Sequence, residues 1–243
     1  MAASASVIIA MHIPMKSAVL GVAASLILAT FSSAQAPATN AVTPQIDKFV
    51  RDIILCGHQA RTTRWLALPT LSVTSSSPEL KDFAERSFAA ISQATGLTTS
   101  GDGVVHVFFG SGRDLPKLEV VKRRGLKVVG TEGISYWQNK DQSLKEVFVF
   151  VKDVPGKTDE FRRHLLFRNL LAAFGFMKNS SQFPDSTFGS NTAYDQQLSP
   201  LDVKLISFCY QHIPPAALSS DVTKLLKLHW NAQAGQPASS PKP

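Results

Sequence analysis

Paired histidines, clustered cysteines and long apolar runs are what this chain has least of, and each shortage closes off a chemistry. Its six histidines, His12, His58, His106, His164, His212 and His229, are scattered, and none stands a helical turn from another. A catalytic zinc held by two histidines at i and i+4 on one helix is therefore not written here. The two cysteines, Cys56 and Cys209, form no CxxC and have no histidine beside them, which argues against redox and thiol catalysis. No GxSxG elbow occurs, and Ser186 has only Asp185 adjacent. Gly110-Ser111-Gly112 lacks the Lys-Ser/Thr end of a phosphate loop. The one dense basic cluster, Lys122-Arg123-Arg124, has no interleaved aromatics, so it is not a single-strand nucleic-acid surface and reads as a solvated helix end.

The one sustained apolar run, Ala18–Phe31, follows Lys16 and precedes Ala34-Gln35-Ala36. That is the pattern of a secretory signal peptide spanning 1–36, with Met11 or Met15 as a possible true start. The run is short for a stable membrane span, although an uncleaved anchor is the alternative reading. Cleavage removes Lys16 and no acid, so the exported chain stays basic, with a periplasmic or extracellular destination. A basic exported protein suits anionic envelope polymers or an unidentified protein partner. In an oxidising compartment Cys56 and Cys209 can form one disulfide; two buried free thiols are the alternative.

Residues 37–43 read as a linker, 44–230 as one domain and 231–243 as a disordered Ala/Gly/Pro/Ser tail. Thr43-Pro44, Ser77-Pro78 and Ser199-Pro200 each pair a cap with a first-turn proline, which places three helix starts. Arg64–Thr74 is strand-like, with Pro69 marking an edge or a bulge. Val104–Phe109, Leu126–Gly130, Ile134–Gln138 and Val147–Lys152 are further strand candidates, the last apolar throughout as a covered central strand is. Leu115–Arg124 reads as a short helix, and Ser220–Trp230 as the last helix. The long polar stretch 177–197 is the kind of loop that tends to be functional.

The organising stretch is 159–177, a helical pattern apolar over most of its circumference. Its polar residues His164, Arg168 and Asn169 share one arc with Ala172. Beyond it come Phe183-Pro184-Asp185-Ser186-Thr187-Phe188, Leu198-Ser199-Pro200-Leu201-Asp202 and Cys209-Tyr210-Gln211-His212-Ile213-Pro214-Pro215. From about Phe161 to Pro215 this succession resembles a bacterial exported family of unknown function with a zincin-like, metallopeptidase fold. Gly175-Phe176 fixes the register against HExxHxxGF. The zinc-ligand positions then fall on Arg168 and Ala172, and the catalytic glutamate position on Asn169.

Strands with an interrupting helix, followed by helices, give an α+β class. The resemblance implies, more finely, a zincin-like mixed sheet packed on helices and a mainly helical C-terminal part. It also implies a cleft lined by His164, Arg168, Asn169 and Ala172, with Asp185 and Ser186 in a loop over it. With ligand and base positions replaced, the expectation is a pseudoenzyme without metal or other cofactor. Arg168 would then attract a carboxylate or phosphate, or else pair internally with Asp185 or Asp202. A hydrolase with a site not assignable by spacing is the rival.

Overall fold

The computed structural model describes residues 42–56, 60–183, 185–189 and 196–230. The expected signal peptide, most of the expected linker and the expected tail lie outside them. Among the described residues no helix is long and apolar enough to cross a membrane.

Helix α1 is Pro44–Ile54, followed by the two-residue strands β1, Leu55–Cys56, and β2, Arg61–Thr62, which pair antiparallel. Then come β3 (Leu68–Ser75), α2 (Pro78–Thr95), β4 (Ser100–Gly110), a single 3-10 turn at Leu115–Lys117, and α3 (Glu119–Arg124). Strands β5 (Glu132–Gln138) and β6 (Leu144–Lys152) complete the sheet, and α4 (Asp159–Ala173), α5 (Pro200–His212) and α6 (Ser219–His229) follow. The protein is α+β, with a four-stranded mixed sheet ordered β3-β4-β6-β5. β3, β4 and β6 are parallel, and β5 runs antiparallel to β6 at the edge.

All three Ser/Thr-Pro starts are capped: Ile46 N–H donates to Thr43 Oγ1 at 3.2 Å, Leu80 N–H to Ser77 Oγ at 3.3 Å, and Asp202 N–H to Ser199 Oγ at 3.2 Å. Pro69 sits where the β3–β4 register slips, on an edge strand, as its missing N–H requires. β6 is central and both of its faces are covered, which is why it is apolar without alternation. Val105, Val107, Val147, Val149 and Val151 belong to the main core with α2, α4 and α5. Phe108, Phe148 and Phe150 face a second, smaller apolar layer under α3.

Two expectations are corrected here. Leu126–Gly130 is not a strand. Leu126 and Val128 pack onto the second apolar layer while Val129 stands exposed, and among the described residues the segment joins no sheet. The basic cluster is not simply solvated either. Arg123 and Arg124 both donate to the buried Glu146 carboxylate on β6, with His106 Nε2 3.1 Å away. Burial alone would raise the Glu146 carboxyl, but the hydrogen bonds and charges of Arg124 and Arg123 outweigh it and hold it below the usual range. Arg124 also lies over the Trp137 ring, at 4.5 Å. The cluster pins α3 to the sheet.

Candidate functional site

Helix α4 starts at Thr158, whose Oγ1 accepts from Phe161 N–H at 3.2 Å, and buries Leu165, Leu166, Leu170 and Leu171. It ends in a left-handed cap. Gly175 has φ +94°, its N–H donates to Ala172 O at 2.9 Å, and Phe176 N–H donates to Leu171 O at 3.2 Å. These are the two bonds of a Schellman motif with glycine at the position that requires a positive φ. The remaining terminal carbonyls are satisfied by buried side chains: Trp65 Nε1 donates to Ala173 O at 2.9 Å and Tyr210 Oη to Phe174 O at 2.8 Å. This fixes where the chain leaves α4 and turns Phe176 and Met177 toward β5.

Between α4 and the edge strand β5 lies a cleft of about 270 Å³. Glu132, Gly133 and Ile134 line it from β5, and Arg168, Asn169, Leu171 and Ala172 from α4. Phe176, Met177 and Asn179 follow the helix, and Thr187 and Phe188 close it from the returning loop. Its lining mixes apolar side chains with the polar Glu132, Arg168, Asn169, Asn179 and Thr187. Asn169 Nδ2 donates both to Glu132 Oε2, at 2.7 Å, and to Leu165 O, at 2.8 Å, tying the helix to the strand. Arg168 is exposed and makes no ion pair with the other described residues.

Three of the six candidate site residues, Arg168, Asn169 and Ala172, therefore share this cleft. His164 is half-buried one turn earlier on α4 and is not among the lining residues. Asp185 is exposed, and Ser186 turns away from the cleft, donating its hydroxyl to Asp202. The expected ion pair from Arg168 to Asp185 or Asp202 is not made. Asp202, fully buried, is instead occupied by Ser186, by the Thr187 N–H at 3.1 Å and hydroxyl at 2.8 Å, and by the Ser199 N–H at 2.8 Å. This latch holds Thr187 and Phe188 in the cleft wall, with Phe188 packed 5.3 Å from Phe176.

Cys209 is a buried free thiol, so it does not form the expected bridge to Cys56, whose side chain lies outside the described residues. Burial pushes the Cys209 thiol far up, against the opposing pull of Arg64, and a neutral thiol is a poor nucleophile. Its surroundings are apolar core, where a free cysteine behaves as a small hydrophobe.

Glu132 was not identifiable as a cleft residue beforehand. It lies far from Asn169 in sequence, and only the packing of α4 on β5 joins them. The role of Asp202 was half visible: the helix start at Ser199-Pro200 was readable, the donors from Ser186 and Thr187 were not.

His106 is on the α3 side of the sheet against Glu146, whereas His212 stacks on His229 with ring centroids 4.4 Å apart. No group of three or more His, Cys, Asp or Glu side chains suited to a metal occurs among the described residues. Compared with known proteins, the chain matches no family model, no curated protein and no solved structure.

The stacked pair carries one pH prediction. Burial, and then the neighbouring His229, depress the His212 imidazole below its ordinary value of 6.5. In the window below 6.5 the unfolded chain takes up a proton that the folded chain resists, so stability falls as pH drops. Above that value this contribution is fully present and flat. The urea midpoint should fall between pH 7.5 and 5.5, and His212→Gln should fall less over the same interval. Equal slopes for the two proteins would remove His212 as a cause.

Proposed function

We propose that this is an exported, non-catalytic binding component of the bacterial cell envelope, built on a metallopeptidase-like scaffold, with the α4–β5 cleft as its working surface. The signal-like N-terminus supports export to the periplasm or beyond. The scaffold reading is supported by the likeness of residues 161–215 to the zincin-like exported family. It is also supported by an antiparallel edge strand lying beside the helix that carries the degenerate motif.

One observation carries the non-catalytic reading. Where that motif would hold two metal ligands and a general base, the cleft presents Arg168, Ala172 and Asn169. A guanidinium offers donors only and is never usefully deprotonated, so it opposes a cation and suits an anion. An amide and a methyl supply no base.

The test is metal analysis of the purified protein, with peptide cleavage followed with and without a chelator. The expected result is zinc well below one per chain and no chelator-sensitive cleavage. Stoichiometric zinc, or cleavage abolished by chelator, would return the chain to the hydrolases. The alternative of a polymer-binding basic face is weakened because Arg123 and Arg124 are committed to Glu146.

A further inference from the structure

We infer that the molecule has a second ligand site, a groove between α2, α4 and the start of α5 that takes an acyl chain ending in a single carboxylate. It lies outside the α4–β5 cleft and stands whether or not that cleft binds anything.

The groove holds about 530 Å³, within the range of roughly 300 to 1,000 Å³ that small-molecule sites occupy. Phe83 and Ser87 line it from α2, Arg163 and Phe167 from α4, and Leu198 and Val203 from the entry to α5 and its first turn. Two of its polar side chains have no partner among the described residues. Ser87 is 6% exposed, and its hydroxyl makes no hydrogen bond there. The Arg163 guanidinium makes neither a hydrogen bond nor an ion pair, and its Nε is buried. Glu79, the carboxylate that feels the charge of Arg163, is engaged instead by the Ser77 hydroxyl at 2.9 Å. Arg86, the other cation of the groove, is taken by Asp82. Native interiors leave few buried polar groups unmatched, because each forfeits its bond to water. Two such groups from different helices, lining one hollow, point to an acceptor that the chain itself does not supply.

The charges and the walls choose that acceptor. One guanidinium without a carboxylate offers a single positive charge, which matches a carboxylate better than a phosphate dianion. The Ser87 hydroxyl adds a neutral donor to the same hollow. Around them the surface is apolar. Phe83 and Phe167 are buried and form the floor, while Val203, 42% exposed, stands in solvent. A hydrocarbon chain covers such a surface and gains affinity from the area it removes from water. Acetate has the head without the body, and an alcohol of equal length has the body without the charge.

The experiment is calorimetric titration of the purified protein with sodium decanoate, decanol, decyl phosphate and sodium acetate. Decanoate is expected to bind about five- to ten-fold more tightly than decanol, a factor within reach of one partly buried guanidinium. Acetate should give no measurable binding. Arg163→Gln should bring decanoate down to the affinity of decanol with an unchanged far-ultraviolet spectrum. Ala90→Trp, on the exposed rim, should abolish binding of both chains by filling the space, again with the fold intact. The proposal is overturned if decanoate does not bind, if it binds no better than decanol, or if its advantage survives Arg163→Gln. Binding that Ala90→Trp leaves untouched puts the ligand elsewhere and overturns it as well. Tighter binding of decyl phosphate than of decanoate overturns the choice of a carboxylate. None of these outcomes involves Arg168, Asn169 or Ala172, so the reading of the α4–β5 cleft stands or falls separately, on its metal analysis.

Discussion

Replacing Gly175 by alanine is expected to lower the stability of the fold by about 2–5 kcal/mol, and two independent costs produce that figure. The backbone has φ +94°, a region that costs an L-residue roughly 1–2 kcal/mol. A Cβ built there also falls on the Thr63 carbonyl oxygen, deep inside contact distance. Thr63 cannot retreat cheaply. Its hydroxyl donates to Gln142 O at 2.7 Å, and the preceding Thr62 is held by Ala217 O at 3.1 Å and Pro214 O at 2.7 Å. Clashes with fixed backbone of this kind cost a further 1–3 kcal/mol or so. A typical domain is stable by only about 5–15 kcal/mol, so the loss is a large fraction of the whole. Gly175→Asn separates the two terms. Asparagine tolerates the left-handed region but carries the same Cβ, so it should recover at most about 1 kcal/mol relative to alanine. Urea midpoints of the three proteins decide it; an alanine variant within about 1 kcal/mol of the parent would show that Thr63 yields.

That glycine also marks how far the sequence could be read. The longest helical pattern, 159–177, was legible, and a helix forms over Asp159–Ala173. The pattern's continuation to Met177 was wrong, because Trp65, Tyr210 and the Schellman bonds take over the last carbonyls at Ala173 and Phe174. Helices with a Ser/Thr-Pro start and the covered strand β6 were readable because their signals are local. Arg168, Asn169 and Ala172 could be placed on one arc for the same reason: helical geometry alone puts i, i+1 and i+4 near one another. What opposes them could not be. Glu132 reaches Asn169 only after β5 has paired antiparallel with β6 and α4 has packed across both. Likewise the Arg123–Arg124 cluster looks like a solvated end until Glu146 appears beneath it. Leu126–Gly130 has the composition of a strand, yet hydrophobic content cannot say whether a partner backbone will be present.

Asp202→Ala is expected to cost about 3–5 kcal/mol and to undo the cleft wall, although the residue lies outside the cleft. The carboxylate has 0% exposure and no cationic partner among the described residues. Its charge is compensated by donors: the Ser186 hydroxyl on one oxygen, and on the other the Thr187 N–H and hydroxyl together with the Ser199 N–H. The first turn of α5 adds the favourable end of the helix dipole. Alanine takes the acceptor from the Thr187 and Ser199 N–H groups, each at about 1–3 kcal/mol unless the loop opens to water, while the Thr187 hydroxyl keeps Gln197 O at 2.9 Å. Opening is therefore the cheaper response, and it releases Thr187 and Phe188 from the position in which they face Arg168. Asp202→Asn should be milder, about 1–2 kcal/mol, because one oxygen can still accept from Thr187 and Ser199 while the amide donates to Ser186. Hydrogen exchange reports the mechanism directly. In the alanine variant the Thr187 and Phe188 amides should lose protection while those of β6 keep theirs relative to the new global stability. If the Thr187 amide stays protected, the loop is held by Phe188 packing on Phe49 and Phe176, and the latch is secondary.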